Sequence, residues 1–452
     1  MKLLMEMARE QIGKEYNFIT LIKFATPTII MLVFMSVYTI IDGIFLARFV
    51  GASALSAVNI FLPVYALIFA IGLMLATGGS AVLAKKMGES KSQQARENFT
   101  FIVICGSAIG IIIMIFGLVF IKPLLTMLGA GASEELFSYT HKYAMILLLV
   151  SPLIILQDLF LQFFITIGKP RIGLFLTILG GLTNIVLDYV FIVLLQMGTV
   201  GAAIGTGIGI AVPAIFGLAY FTFNKRNSLY FVTFKADRKV LLLTSLNGAS
   251  EMVSNLSLAV VTFAFNILMI KHLGVDGVAA VTILLYAQYI IISIFAGYSM
   301  GVAPIISYNF GSKNNNQLKR IFKYSLLLIA LVSIAVYGLS IIAGSSLIQF
   351  MAPQGGSVYR IAIDGFKIFS ISFMFMGFNI FTSALFTAFS NGKISATVSL
   401  MRTLVFVLIG LLILPLMMGV DGIWLAVPFA EFLSLLVCIY FLMRYKKIYN
   451  YS

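Results

Sequence analysis

Residues Ile102 to Ile121 read IVICGSAIGIIIMIFGLVFI, an unbroken run without a charged side chain. A helix rises ~1.5 Å per residue, so a hydrocarbon core ~30 Å thick takes about twenty apolar residues to cross. The run has that length and predicts a membrane-spanning helix. Tyr143 to Gln157 and Ile172 to Leu187 are equally free of charge. Of 452 residues, 61% are hydrophobic and 10% charged, and the mean hydropathy is +1.07. Soluble globular chains hold roughly 45–50% apolar and about 25% charged residues. The composition excludes a soluble enzyme and predicts a polytopic, all-α integral membrane protein.

Apolar runs and their polar punctuation predict twelve spans: 24–47, 57–83, 99–121, 143–166, 172–195, 200–222, 241–270, 278–307, 321–345, 361–388, 395–417 and 423–443. The first twenty residues, MKLLMEMAREQIGKEYNFIT, mix charge and apolar residues too closely for a signal-peptide core. They are expected to remain as an interfacial helix. With both termini on one side, the loops of that side hold 23 Lys and Arg and those of the other side 5. Such a bias predicts a multi-pass membrane protein with both termini cytoplasmic. It also accounts for the net charge of +14, with no nucleic-acid partner. Cys105 and Cys438 lie inside apolar runs, where they pack as small hydrophobes.

The chain repeats itself. Val50 to Phe99 aligns without gaps on Leu273 to Phe322 at an offset of 223, with ten of fifty positions identical, among them Gly51/Gly274, Gly78/Gly301 and Gly88/Gly311. Gly198-x-x-Gly201 recurs as Gly419-x-x-Gly422. Six spans per half bring both halves into the membrane from the same side, so the repeats are parallel, a plan found among secondary transporters. The expected units are lobes at 1–223 and 241–452 around a central cavity, joined by a basic linker at 224–240 that absorbs their relative motion.

Motor and enzyme signatures are missing. No G-x-x-x-x-G-K-[ST] occurs, Gly205-Thr-Gly207-Ile-Gly209 falls inside a span with no preceding strand, and His141 and His272 sit at loop ends without a zinc motif. The glycines of the sixth span are expected to let helices approach closely. No catalytic residue, resident metal or cofactor is expected.

Ionisable residues at membrane depth carry the remaining information: Asp42, Asp158, Asp188, Glu251, Asp364, Lys367, Arg402 and Glu431. A charge at the bilayer centre costs about 2.5–3.5 kcal/mol, so such residues usually line a cavity or a substrate path. Asp364 and Lys367 are spaced as an i,i+3 pair, and Arg402, near a span end, is expected to snorkel to the headgroups. Asp188 shares a helix face with Asn184. Together with Asp42 and Thr206 they lie in the outer half of the first six spans. Two carboxylates, an amide and a hydroxyl at one depth can hold a small cation, or share a proton. Shifting by 221 to 224 residues turns Asn184, Asp188 and Thr206 into positions such as Val405, Ile409 and Val427, and Asp42 into Phe265. The fold thus does not itself require acids there. Asp158, Gln162, Glu251, Asn379 and Glu431 are the candidate residues of the substrate cavity.

Asp42-Gly, Val50-Gly51, Asn184-x-x-x-Asp188, Gly201-Ala-Ala and Gly301-x-x-Pro304-x-x-Ser-Tyr-Asn-Phe-Gly311, in that order on a duplicated twelve-span plan, resemble the multidrug and toxic compound extrusion (MATE) family, nearest its MepA-type bacterial branch. The resemblance implies a drug:cation antiporter of two six-helix lobes around a V-shaped cavity that opens alternately to each side. It assigns the family's N-lobe cation site to Asp42, Asn184, Asp188 and Thr206, which would take H⁺ or Na⁺. Asp158 and Gln162 stand where the fourth helix usually adds an asparagine. Glu251 resembles a coupling glutamate of the seventh helix, and Asp364 and Asn379 stand nearest an aspartate of the tenth.

The reading is a monomeric, membrane-lipid-embedded exporter of small lipophilic cations driven by H⁺ or Na⁺. Met and Phe, 21 and 40 in the chain, can repack around varied apolar bodies. A lipid-linked oligosaccharide flippase is the alternative, but a pyrophosphate headgroup calls for several cations at depth, and acids outnumber them. The topology predicts that reporter fusions at Lys235 and Gly131 fall on opposite sides, Lys235 inside; the same side for both would overturn it.

Overall fold

A computed structural model describes residues 11–451. The side chains of residues 11, 40, 42–44, 46, 47 and 52 lie outside the described set, as does most of the interfacial helix expected over the first twenty residues. Among the described residues the secondary structure is helical throughout, with no strand. That is what a chain without water to bond its peptide groups must do: each N–H and C=O is satisfied inside its own segment.

The helices are α1 (Phe18–Phe49), α2 (Ala52–Gly88), α3 (Ser92–Val119), α4 (Glu134–Leu149 continuing as Ser151–Thr166), α5 (Pro170–Leu194) and α6 (Gly198–Phe223). Residues 224–237 carry no helix. A continuous 74-residue helix, Arg238–Gly311, follows; at ~1.5 Å per residue it is several times a bilayer's thickness. Gly274 divides it, with φ 65° and ψ −154°, into α7 (238–273) and α8 (275–311). Then come α9 (Asn315–Met351), α10 (Ser357–Ala388), α11 (Gly392–Met418) and α12 (Val420–Tyr449). Ten of these helical stretches are long and apolar enough to cross a membrane, α4 becomes an eleventh when its two pieces, bent by 50°, are joined, and the division at Gly274 makes twelve.

Helix ends follow local chemistry. Ser133, Asn314 and Asn391 accept the backbone N–H of Leu136, Gln317 and Ile394 at the starts of α4, α9 and α11, satisfying donors that a helix start leaves unpaired. Composition placed the start of α4 at 143; the helix begins at Glu134 because its first turns carry Glu134, Glu135 and Lys142, which hide it from an apolar count.

The duplication is written in the backbone. Left-handed residues recur in register: Gly51 (φ 107°) with Gly274 (65°), Ser90 (60°) with Lys313 (57°), Gly168 (77°) with Ser390 (59°), and Gly198 with Gly419 (both 59°). The bend at Val150 in α4 recurs as the 3-10 turn Ser370–Ser372 of α10.

The halves meet through missing side chains. A Cβ on Gly78 would strike the carbonyl oxygen of Thr244, one on Gly248 that of Met74, and Gly88 and Gly311 would each strike the other helix's backbone at Tyr308 and Lys85. Gly301 lies against Ala25 at 3.2 Å, and Gly297 against Ile29 at 2.6 Å. At an offset of 223, Gly78–Gly248 and Gly301–Ala25 are the same contact made twice, and Gly88 faces its own repeat partner. All lie toward the face that carries the termini. There Gln317 Nε2 donates to the carbonyl of Tyr16 (3.0 Å) and Tyr449 stacks on Phe389 at 4.5 Å. At the opposite ends of α2 and α8, Gly51 and Gly274 have no atom within 4 Å of a would-be Cβ.

The linker is docked on the first half. Arg96 Nε donates to the carbonyl of Ser228 (3.0 Å), Val232 N–H to Thr100 Oγ1 (3.1 Å), Lys169 Nζ to Asn227 Oδ1 (2.7 Å), and Phe231 packs on Phe99. Alternate apolar residues, Leu229 and Phe231, hold the strand-like segment to α3.

Gly248→Val forces a branched side chain into the backbone of α2, a misfit of ~1–3 kcal/mol or more in a close-packed contact. Spin labels at Lys91 and Lys313 should then report a longer distance between the halves; an unchanged distance would show that the glycine contact does not hold them.

Candidate functional site

In the first half, Gly180 of α5 and Gly209 of α6 bring the two backbones together: a Cβ on Gly180 would lie 2.7 Å from the Gly209 carbonyl. On the other side of α5, Gly181 abuts Phe34 and Tyr38 of α1, with Phe34 at 2.6 Å. Helices α1, α5 and α6 therefore converge one to two turns below Asn184 and Asp188. Asn184 is 4% exposed and Asp188 0%. Asn184 Nδ2 reaches Thr206 Oγ1 at 3.5 Å, and its Oδ1 has no hydrogen-bond partner among the described residues. Gly205 leaves the room that the Asp188 carboxylate fills, with Oδ1 2.5 Å from where its Cβ would be. Asp188 ends the α-helical part of α5, and Tyr189–Leu194 continues as π-helix, a local widening frequent at functional sites. The structure thus brings Asn184, Asp188 and Thr206 together. Asp42 belongs to α1 by its backbone, and its side chain is outside the described set.

Asp158 and Gln162 share a face of α4 one turn apart. Asp158 is 4% exposed and lies against Gly72 of α2, whose missing Cβ its Oδ2 would meet. Gln162 Nε2 reaches Ser80 Oγ at 3.3 Å, and Ser80 and Thr166 share a hydrogen bond of 2.8 Å. Gln162 and Ser80 also line a cleft between the halves, closed on the other side by Glu251 of α7, Met300 of α8 and Thr387 of α10. Of the expected cavity residues, Gln162 and Glu251 stand on a cleft wall, whereas Asp158 is packed behind it.

Asn379 and Glu431 are buried inside the second half. Glu431, 3% exposed, accepts from Arg402 Nε at 2.8 and 3.1 Å and from Asn379 Nδ2 at 2.7 Å. Arg402 does not snorkel: it is 9% exposed and turned inward from a π-helical turn, Met401–Val405. A buried carboxylate on α12 without a countercharge costs more than bending Arg402 away from the headgroups. By the register of Gly168 with Ser390 and of Gly198 with Gly419, Arg402 corresponds to Gly180 and Glu431 to Ile210, next to Gly209: one half crosses its fifth and sixth helices through glycines, the other through an ion pair. Sequence reasoning missed the pairing, although an acid at depth on α12 and a cation on α11 were its available signal. Asp364 and Lys367 pair as expected, at 3.1 Å on the surface, a contact worth little. Among the described residues no group of three or more His, Cys, Asp and Glu is placed to hold a metal ion.

A model of the MatE family matches residues 27–190 and 252–412, one segment in each half. The chain is 27% identical over 379 residues to the multidrug export protein MepA of Staphylococcus haemolyticus, covering 80% of each chain, and 23% identical over 447 residues to MepA of Staphylococcus aureus, covering 94% of each. Its fold is similar to an outward-facing multidrug resistance MATE transporter of the MOP superfamily (TM-score 0.91, 22% identity, 98% and 99% of the two chains) and to a MATE protein in complex with MaL6 (TM-score 0.90, 22% identity, 100% of both).

Arg402→Ala and Glu431→Ala should each lower stability by ~3–5 kcal/mol, because each leaves a buried charge alone. The double replacement Arg402→Met with Glu431→Leu should recover most of that loss in thermal unfolding of the purified protein. Additive losses would show the two charges to be independent.

Proposed function

Since the chain belongs to the MatE family, we propose that it is a multidrug exporter that expels small lipophilic cations in exchange for H⁺ or Na⁺ by alternating access. In this reading it is a transporter and not an enzyme. It works as a monomer in a bacterial cytoplasmic membrane with both termini inside, as the 23 to 5 distribution of Lys and Arg supports. Its relatives' name, multidrug export protein, supports the same substrate class.

One observation carries the coupling: a wholly buried Asp188 beside Asn184 and Thr206, at the junction of α- and π-helix, where the other half has apolar residues. A carboxylate in that setting takes up a positive charge readily, because doing so relieves its burial. A cation loaded there favours closure around it and weakens the hold on a cationic drug, so the two ligands oppose each other through the states they prefer. The close backbone contacts between the halves at the termini face support reading this conformation as the one that would exchange ligands with the outside. The flippase alternative loses its best anion-binding group, since the deep cation Arg402 is occupied by Glu431.

Ethidium efflux from proteoliposomes under separately imposed proton and sodium gradients tests the reading. Asp188→Asn and Asp42→Asn should each reduce gradient-driven efflux by about tenfold or more, within the range of ordinary coupling energies. Phe265, the repeat position of Asp42, is wholly buried in the second half's core and is no neutral control; the exposed Asp364→Asn serves instead and should transport normally. Full gradient-driven efflux by both aspartate variants would reduce the cluster to a packing element.

A further inference from the structure

We propose that Asp158 is a second proton-binding site, loaded in this conformation and reached from the cleft between the halves past Gln162. The site is separate from the Asp42, Asn184, Asp188 and Thr206 cluster, and only its part in turnover rests on the exporter reading.

Three observations carry it. Asp158 is nine-tenths or more buried, and its Oδ2 has no hydrogen-bond partner among the described residues. Gly72 gives this oxygen its place: any side chain there would collide with it, so α2 is cut to fit a carboxyl group and offers it no donor. One turn further along the same face, Gln162 is also buried and its Oε1 is likewise without a donor, while the residue itself lines the interlobe cleft opposite Glu251.

The neighbours supply no charge to balance an ionised acid. Among the described residues, no Lys, Arg or His nitrogen lies within 4.0 Å of Asp158. From α3, Gly106 packs on Ile155 and Leu159, and from α6, Gly217 packs on Phe160. The charged residues of the packed helices are Lys85 and Lys86 at the far end of α2, Arg96 and Glu97 at the start of α3, Arg171 and Asp188 on α5, Glu251 on α7 with Arg238 and Lys239 at its start and Lys271 and His272 at its end, and Glu134, Glu135 and Lys142 with His141 on the outer piece of α4; Cys105 is the titratable group along α3, and α6 has no charged residue. Among the described residues Gln157 is the one side-chain hydrogen-bond partner of this carboxyl, Oδ2 has none, and an ionised carboxylate with no countercharge is costly in such surroundings, so the group neutralises. Sodium would need several oxygens around it, and the carboxyl faces a bare glycine. A proton on Oδ2 needs no such shell. It gives Asp158 an O–H donor, one helical turn from the orphaned acceptor of Gln162. Ser80, Thr166 and Thr77 add hydroxyls on the cleft side, so the polar route from cleft to acid runs along α2 and α4.

Infrared spectroscopy of the purified protein in lipid nanodiscs tests this without reference to transport. At neutral pH the wild type should show the carbonyl stretch of a protonated carboxylic acid, shifting in D₂O. Asp158→Asn, which keeps the shape of the side chain, should remove that band, and Asp188→Asn should leave it. Spectra of wild type and Asp158→Asn that coincide in this region would overturn the proposal. Gln162→Leu should keep the band but slow its shift in D₂O several-fold; unchanged exchange would refute the route through Gln162. In ethidium efflux, Asp158→Asn should alter the dependence on the proton gradient while Asp188→Asn abolishes coupling. If both variants lack the band difference yet Asp188→Asn still uncouples, the exporter reading stands and the Asp158 site falls.

Discussion

Two helices can touch backbone to backbone only where side chains are missing, and the arrangement of this protein depends on one such contact. Gly88 and Gly311, repeat partners at the ends of α2 and α8, each admit the other helix's main chain. Around them the Gly78–Gly248 and Gly301–Ala25 contacts repeat one geometry on both sides of a pseudo-twofold axis. In a bilayer, lipid tails are as apolar as leucine, so helices are held by close van der Waals approach rather than by exclusion of water. A contact of that kind is strong at van der Waals distance and lost after a small separation. The same glycines can therefore hold the halves together firmly and release them as a unit, as the proposed alternating access would require.

Within that frame the two halves treat buried charge differently. The second half encloses a complete pair, Arg402 with Glu431, and ties Asn379 to it. The first half has buried acids at depth, Asp158 and Asp188, and among the described residues no lysine or arginine nitrogen lies within 4.0 Å of Asp158. A paired ion has little reason to take up another charge, so the proposed cation binding belongs to the first half. Duplication supplied the same framework twice, and at the equivalent crossing one half places glycines, Gly180 and Gly209, and the other an ion pair, Arg402 with Glu431.

The linker shows how such a lobe is kept together. Its basic residues face outward in the sequence pattern expected of membrane topology, yet Leu229, Phe231 and Phe234 pin it along α3. The segment that joins the halves is thus packed on the first of them.

Hydropathy determined the class and the approximate spans, because a bilayer core imposes length and polarity on every crossing segment independently of what the segment packs against, and the identities at an offset of 223 showed the duplication. It also marked Asn184 and Asp188, since helical spacing fixes which residues share a face. Helix periodicity says nothing of which way a long side chain turns, so Arg402 read as a snorkelling residue until the approach of α11, α12 and α10 showed its partner. Nor could it tell a cavity wall from a packed interior for Asp158, Asn379 and Glu431, or show that Gly72 and Gly205 are cut to receive carboxylates. Those outcomes depend on which helices face one another across distances of a few ångströms, and only the tertiary structure decides that.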